Sequence, residues 1–501
     1  MSEVRAREPE GPPPPDRVTT WERYAARWSG EALLAAGGAV AVVLICVGLF
    51  FLSTATDADT WVPILLYPFL FLVSLPICGW LAGRPRDKRL RRLLVISLVL
   101  KLVAAGPRYY MSEAVYGGEG DAGRYHQAGG YFVKNLKQGK WSIDGSELNS
   151  FPRSTRVVGY LTGLLYVVFG TTYFGGFIIF SWLAWLGLLF FLRAFMVAMP
   201  NAPPYRACLL IMFLPSLVFW PSSTGKDALM VFLLGLLTLG ASRLLANSKV
   251  LIGLVWIVIA GFAILNIRPH LLVISTAAMG LSLLSRESGH GGRRGVLWRI
   301  GLLAVLVPVL VSGLGRVDTL MGTTAGGSAN INASLDETVS RTEIGGSAFK
   351  AIPVRTPWDL PGGTVTVLYR PFIFEARSVQ VLISAIEGSL LVVMTVMAYR
   401  WIWTVFPAMY RNNFAAYCGG YVIGFVVAFS NISNAGILSR QRVQMFPLLM
   451  ILVAIAYERR RLRLEEEAAA EAQAHAPAVP STPVPLPGGR GPSITPAPRG
   501  L

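Results

Sequence analysis

Apolar runs of roughly 15 to 23 residues recur along the chain from Glu31 to Tyr457, separated by polar links, and this alternation predicts membrane-spanning helices. Spans are placed near 31–53, 61–82, 93–106, 174–196, 207–221, 228–246, 250–266, 271–285, 297–315, 379–399, 414–430 and 442–457. The apolar stretch 157–170 is short for a crossing and is read as an interfacial or re-entrant helix. Lipid offers no hydrogen bonds, so a backbone crossing it must satisfy itself. The expected fold class is therefore all-α: a polytopic membrane helical bundle of about twelve transmembrane helices over 31–460. A cytoplasmic tail, 1–30, precedes it, and a disordered cytoplasmic tail, 461–501, follows. The first 20 residues are polar and proline-rich (Pro12 to Pro15), so no cleavable signal peptide is expected.

The polar links are not alike. Basic clusters at Arg84 to Arg92, Arg286 to Arg299, Arg400 with Arg411, and Glu458 to Arg463 mark cytoplasmic links. Both termini then lie inside, and the segments 107–156 and 316–378 lie outside, in a multi-pass protein of the plasma (inner) membrane. Composition agrees, with 53% hydrophobic and 15% charged residues. The net charge of +17 would suggest nucleic acid for a soluble chain. Here the cations sit between spans, so they are read as topology, with membrane lipids as partners and no nucleic acid. Cys46, Cys78, Cys208 and Cys418 lie in apolar stretches without ligand spacing and are read as core thiols.

With that sidedness the outer face collects Glu119, Asp121, Arg124, Tyr125 and His126, then Lys226 with Asp227, Arg268 with His270, Arg370 with Glu375 and Arg377, and Arg440 with Arg442. Lys226, Asp227, Arg268 and His270 stand in links of a few residues between apolar helices, where a charge needs a partner or a ligand. Lys101, inside the third span, is given a structural role. Arg370 and its aromatic neighbours suit interfacial anchoring. A carboxylate beside Tyr and His can take a proton from a hydroxyl, and arginines hold phosphate by paired hydrogen bonds. Together they describe transfer of a group from a phosphate leaving group to an alcohol. After Asp121, the stripe Tyr125, Ala128, Phe132 and Leu136 ends at Gly139. It suits an amphipathic helix lying on the membrane or an ordinary packed surface helix equally well.

Asp121-Ala-Gly-Arg124-Tyr125-His126-Gln-Ala128, followed by Lys137-Gln-Gly139-Lys-Trp141, resembles the first extracytoplasmic loop of the C-type glycosyltransferase superfamily. Phe213-Leu-Pro215-Ser-Leu-Val-Phe-Trp220 through Lys226-Asp227, and Ser439-Arg440-Gln-Arg442 through Pro447, are similar to segments of bacterial envelope-sugar transferases and polymerases. The resemblance implies a catalytic base at Asp121 and a donor sugar on a polyprenyl phosphate or diphosphate. Many members have a second acid where this chain has Ala122, and Glu119 is the nearest substitute.

The expected activity is sugar transfer from that carrier to an acceptor hydroxyl on the extracytoplasmic face, in cell-envelope glycan assembly, with inversion at the anomeric carbon. The acceptor would be a glycan, lipid or protein. Asp121, Glu119, Tyr125 and His126 form the expected catalytic group. Lys226, Asp227, Arg268, His270, Arg440 and Arg442 form the expected phosphate-binding group, with Asp227 orienting Lys226. No cofactor is required by the spacing; a divalent ion (Mg or Mn) would sit at Asp121. A polymerase or ligase of lipid-linked oligosaccharides would use the same chemistry. A flippase would move the lipid-linked sugar without breaking a bond, and two similar halves would mark it; no such repeat is visible.

Overall fold

Long apolar runs become helices here because each closes its hydrogen bonds within itself, and even the prolines at 63, 68 and 76 stay inside one helix. The computed structural model describes residues 58–82, 87–115, 117–118, 120–283, 349, 351–376, 379–397 and 399–474. Among them regular structure is helical, without extended strands. In chain order the elements are α1 (Ala58–Leu81), α2 (Lys88–Tyr110), α3 (Asp121–Leu136), α4 (Arg153–Phe169), α5 (Tyr173–Ala198), α6 (Tyr205–Met212), α7 (Pro215–Phe219), α8 (Lys226–Leu245), α9 (Val250–Ile267) and α10 (Pro269–Ser282). Then follow α11 (Leu360–Tyr369), α12 (Val379–Met397), short helical turns, α13 (Asn413–Phe429), α14 (Ala435–Arg442) and α15 (Phe446–Ala474).

Four helices, α1 from Trp61, α5, α8 and α9, are long and apolar enough to cross a membrane. A fifth crossing arises if α14 and α15, bent by 54° at their junction, form one broken span. The chain is thus an integral, multi-pass helical protein, but twelve full crossings are not what the described residues form. The runs 31–53 and 297–315 lie outside them. The stretch 271–285 becomes a helix of 14 residues and 414–430 one of 17. The span expected at 207–221 is no single helix, because Pro215 opens a new one after a break at Phe213 and Leu214.

That broken segment is held by two buried charges. Glu387 on α12 accepts hydrogen bonds from the backbone N and the hydroxyl of Ser216, at the N-terminus of α7. Lys101 on α2 donates to the carbonyl oxygens of Leu217 and Val218, at 2.8 and 3.0 Å, at its C-terminal end. Acid at the positive end and base at the negative end of a helix is the favourable polarity. The structural role expected for Lys101 takes this form.

The core is built around α8. Against α5 it makes the most extensive helix contact among the described residues, through facing glycines: a Cβ on Gly187 would lie 2.6 Å from the Phe232 backbone. On its other side α8 meets α9, whose outer face leaves Leu251, Val255, Val258 and Phe262 exposed, as a lipid-facing helix does. The stripe of α3 is settled in favour of packing. Tyr125, Ala128 and Phe132 are buried, and α4 is the helix that α3 contacts most. The stretch 157–170 forms most of α4, which begins earlier, at Arg153, and ends at Phe169 with Gly170 as its C-cap. Cys78, Cys208 and Cys418 are buried and unpaired; Cys46 lies outside the described residues.

The chain divides into two units, one ending at Tyr457 and the other running from Glu458. In the second, the helix continues to Ala474, past the expected loss of order at 461. Glu and Ala are strong helix formers, and Arg461 pairs with Glu458 and Glu465 one turn away on either side.

Candidate functional site

Four helix N-termini converge on one cavity of about 470 Å³. Asp121 opens α3, Ser154 and Thr155 stand in the first turn of α4, Lys226 and Asp227 in that of α8, and Pro269 and His270 in that of α10. None of the four has a side-chain N-cap. The positive ends of their dipoles lie at the cavity and favour an anion there. Side chains add to this, with Lys226, Arg268 and Arg440 set against the carboxylates of Asp121 and Asp227.

Asp227 is the buried anchor, 3% exposed, with each oxygen on a different arginine. Arg268 Nη2 donates to Oδ1 at 2.9 Å and Arg440 Nε to Oδ2 at 3.1 Å. Arg440 also reaches Asp121 at 3.6 Å, tying α14 to α3 and α8. Arg268 continues to Gln441 Oε1 at 2.8 Å, which Gln444 also bonds. Lys226 donates to Thr155 Oγ1 at 2.9 Å and has no carboxylate partner among the described residues. Asp121 stays open, its side chain 57% exposed. Gly225 makes the geometry possible. Its φ of 150° and ψ of −169° are a glycine conformation, and a Cβ there would lie 3.3 Å from the Tyr125 ring. Burial, reinforced by the Asp121 carboxylate, raises the Tyr125 phenol above its ordinary range, so it stays a neutral wall.

Seven expected residues therefore meet at the cavity: Asp121, Tyr125, Lys226, Asp227, Arg268, His270 and Arg440. Others do not. His126 does not line the cavity; its Nδ1 lies 2.8 Å from the Tyr166 hydroxyl and its ring packs against Tyr173. Burial holds this imidazole below its ordinary pKa. Arg442 is fully buried and donates to the carbonyls of Leu368 and Arg370, so the two arginines of the Arg440-Gln-Arg442 motif part ways. Two positions along a helix are about 200° apart, which puts them on opposite faces. Asp227 pairs with arginines and leaves Lys226 to Thr155. Arg370 pairs with Glu375, outside the cavity. Glu119 and Arg377 lie outside the described residues.

Residues not singled out from the sequence complete the wall: Phe151, Ser154, Thr155, Ser223, Thr224 and Gln441. The signal for the first three was Pro152 followed by Arg-Ser-Thr, a helix start that lengthens the 157–170 stretch. A divalent ion at Asp121 finds no ligand set. Among the described residues no three His, Cys, Asp or Glu side chains converge, and both oxygens of Asp227 are taken by arginines. No family model matches the chain, and no curated protein or solved structure matches it.

Proposed function

We propose that this multi-span protein is a membrane glycosyltransferase, moving a sugar from a polyprenyl phosphate or diphosphate to an acceptor hydroxyl on the extracytoplasmic face. One observation carries the reading: an open carboxylate, Asp121, faces a cavity whose remaining charges and helix N-termini are arranged for an anion.

Asp121 takes the proton of the acceptor hydroxyl as its oxygen forms a bond to the anomeric carbon. The bond from that carbon to the phosphate oxygen breaks, and the electron pair leaves with the lipid phosphate. Lys226, Arg440 and the N-termini of α4, α8 and α10 stabilise the charge developing on it. Arg268 holds Asp227 and Gln441, and so keeps Arg440 in place. Attack from the far side inverts the anomeric configuration. His126 and Arg442 have no part in these steps.

The test is transfer by the purified protein in liposomes, offered a panel of polyprenyl-phosphate sugars, with Asp121→Asn beside it. Transfer by the wild type and a loss of about 100-fold or more in the variant, with donor binding retained, is expected. Movement of labelled lipid-linked sugar across the bilayer without transfer would replace this reading with a flippase.

A further inference from the structure

A second cluster of cations lies at the far ends of α5 and α8. The two helices run parallel. Their starts touch at Gly176 and Thr224, and their middles touch at Gly187 and Gly235. Arg193 follows Gly187 by about 9 Å along its axis, and Arg243 follows Gly235 by about 12 Å. Arg193 near the end of α5 and Arg243 in the last turn of α8 therefore lie at the same end of the pair, where Phe190 of α5 packs against Trp256, the ring under Arg243.

Each sits over a tryptophan: Arg193 at 5.5 Å from the Trp80 ring on α1, Arg243 at 4.0 Å from that of Trp256 on α9. Arg243 is 9% exposed, and the Nε of Arg193 is buried without a hydrogen bond. Neither has a carboxylate partner among the described residues. Two like charges, partly stripped of water, repel each other, and an aromatic face carries no net charge to cancel them. A single anion with several acceptor oxygens would answer both, and phosphate matches the guanidinium fork.

The surroundings indicate where the phosphate comes from. Trp80, under Arg193 near the end of α1, and Leu251 and Val255, in the first turns of α9 that carries Trp256, are exposed, an apolar flank that suits acyl chains better than a free ion. Tryptophan is also the residue of membrane–water boundaries. We infer that Arg193 and Arg243 hold the phosphate of an acidic phospholipid, in the leaflet at the end of the bundle away from the cavity. Two cations without an acid discriminate for a headgroup of net negative charge over a zwitterion. The site is separate from the cavity and does not depend on the reaction proposed there.

Native mass spectrometry of the full chain in detergent, titrated with phosphatidylglycerol or phosphatidylethanolamine, tests this. The wild type should retain phosphatidylglycerol preferentially, and Arg193→Gln with Arg243→Gln should weaken that retention roughly tenfold or more. Lys249→Gln, an exposed charge near the same end, should leave it unchanged, and Arg193→Lys with Arg243→Lys should restore part of it. Equal retention of the two lipids by the wild type would overturn the assignment, as would an equal loss in Lys249→Gln. Full competition by millimolar inorganic phosphate would make it a free-anion site and overturn the lipid. If the double Gln variant does not fold, each single Gln variant reads the same loss, and unchanged retention in both rejects the site.

Discussion

Arg268 and Asp227 form a buried ion pair, Nη2 to Oδ1 at 2.9 Å, joining the start of α10 to the start of α8 beneath the cavity. Arg440 occupies the other oxygen of Asp227, so one carboxylate orients two arginines, while Asp121 has a single, longer ion pair among the described residues. The two acids consequently differ in kind, one structural and one available for chemistry.

Their variants should separate cleanly. Asp227→Asn leaves the buried Arg268 guanidinium without its counter-charge and Arg440 with only its longer contact to Asp121, and breaking a buried pair costs about 3–5 kcal/mol. Asp121→Asn removes an exposed acid and should change stability by no more than about 0.5 kcal/mol. Thermal melts in detergent, run beside the transfer assay, check both. A melt of Asp227→Asn indistinguishable from wild type would contradict its anchoring role.

Arg440 and Arg442 should fail differently. Arg440→Ala is expected to weaken donor-lipid binding roughly tenfold or more, the scale of a charged hydrogen bond. Arg442→Ala should lower stability through the abandoned carbonyls of Leu368 and Arg370, while the folded fraction binds donor as before. Donor affinity measured on both variants decides, and a tenfold loss in Arg442→Ala would return it to the site.

Lys101→Met should strip the C-terminal carbonyls of α7 of their donor and cost about 1–3 kcal/mol. Because Ser223, Thr224 and Lys226 follow directly from that short helix, donor binding should weaken as well. The check is a melt paired with a binding isotherm. A stable Lys101→Met protein with unchanged binding would show that the break needs no cap.

His126 supplies a pH dependence. Burial lowers its folded-state pKa below the unfolded value of about 6.5. The unfolded chain therefore takes up the proton first as pH falls, and stability is lost from about 6.5 downward until the folded pKa is passed; above this window the effect vanishes. Melting temperatures at pH 7.5 and 5.5 should diverge more for the wild type than for His126→Gln, which keeps a partner for Tyr166. Equal divergence would remove His126 as the source.

The pattern along the chain sufficed for the helical class, for the membrane, and for most helix positions, because those depend on runs of apolar residues and on caps that are local. It also singled out Lys226, Asp227, Arg268 and His270, which meet at the cavity because polar residues in short links between apolar helices have few places to go, while Asp121, Tyr125 and Arg440 were picked out by their polar outer segments and the resemblance. Tertiary structure decided what each of them touches. Arg440 and Arg442 are equivalent in sequence and opposite in space, since only the packing of α14 chooses which face meets the cavity. His126, turned about 100° from Tyr125 along α3, was lost to Tyr166. The charges that cap the break at 213–215 come from helices more than a hundred residues away in sequence, and no local pattern carries a contact between such distant segments.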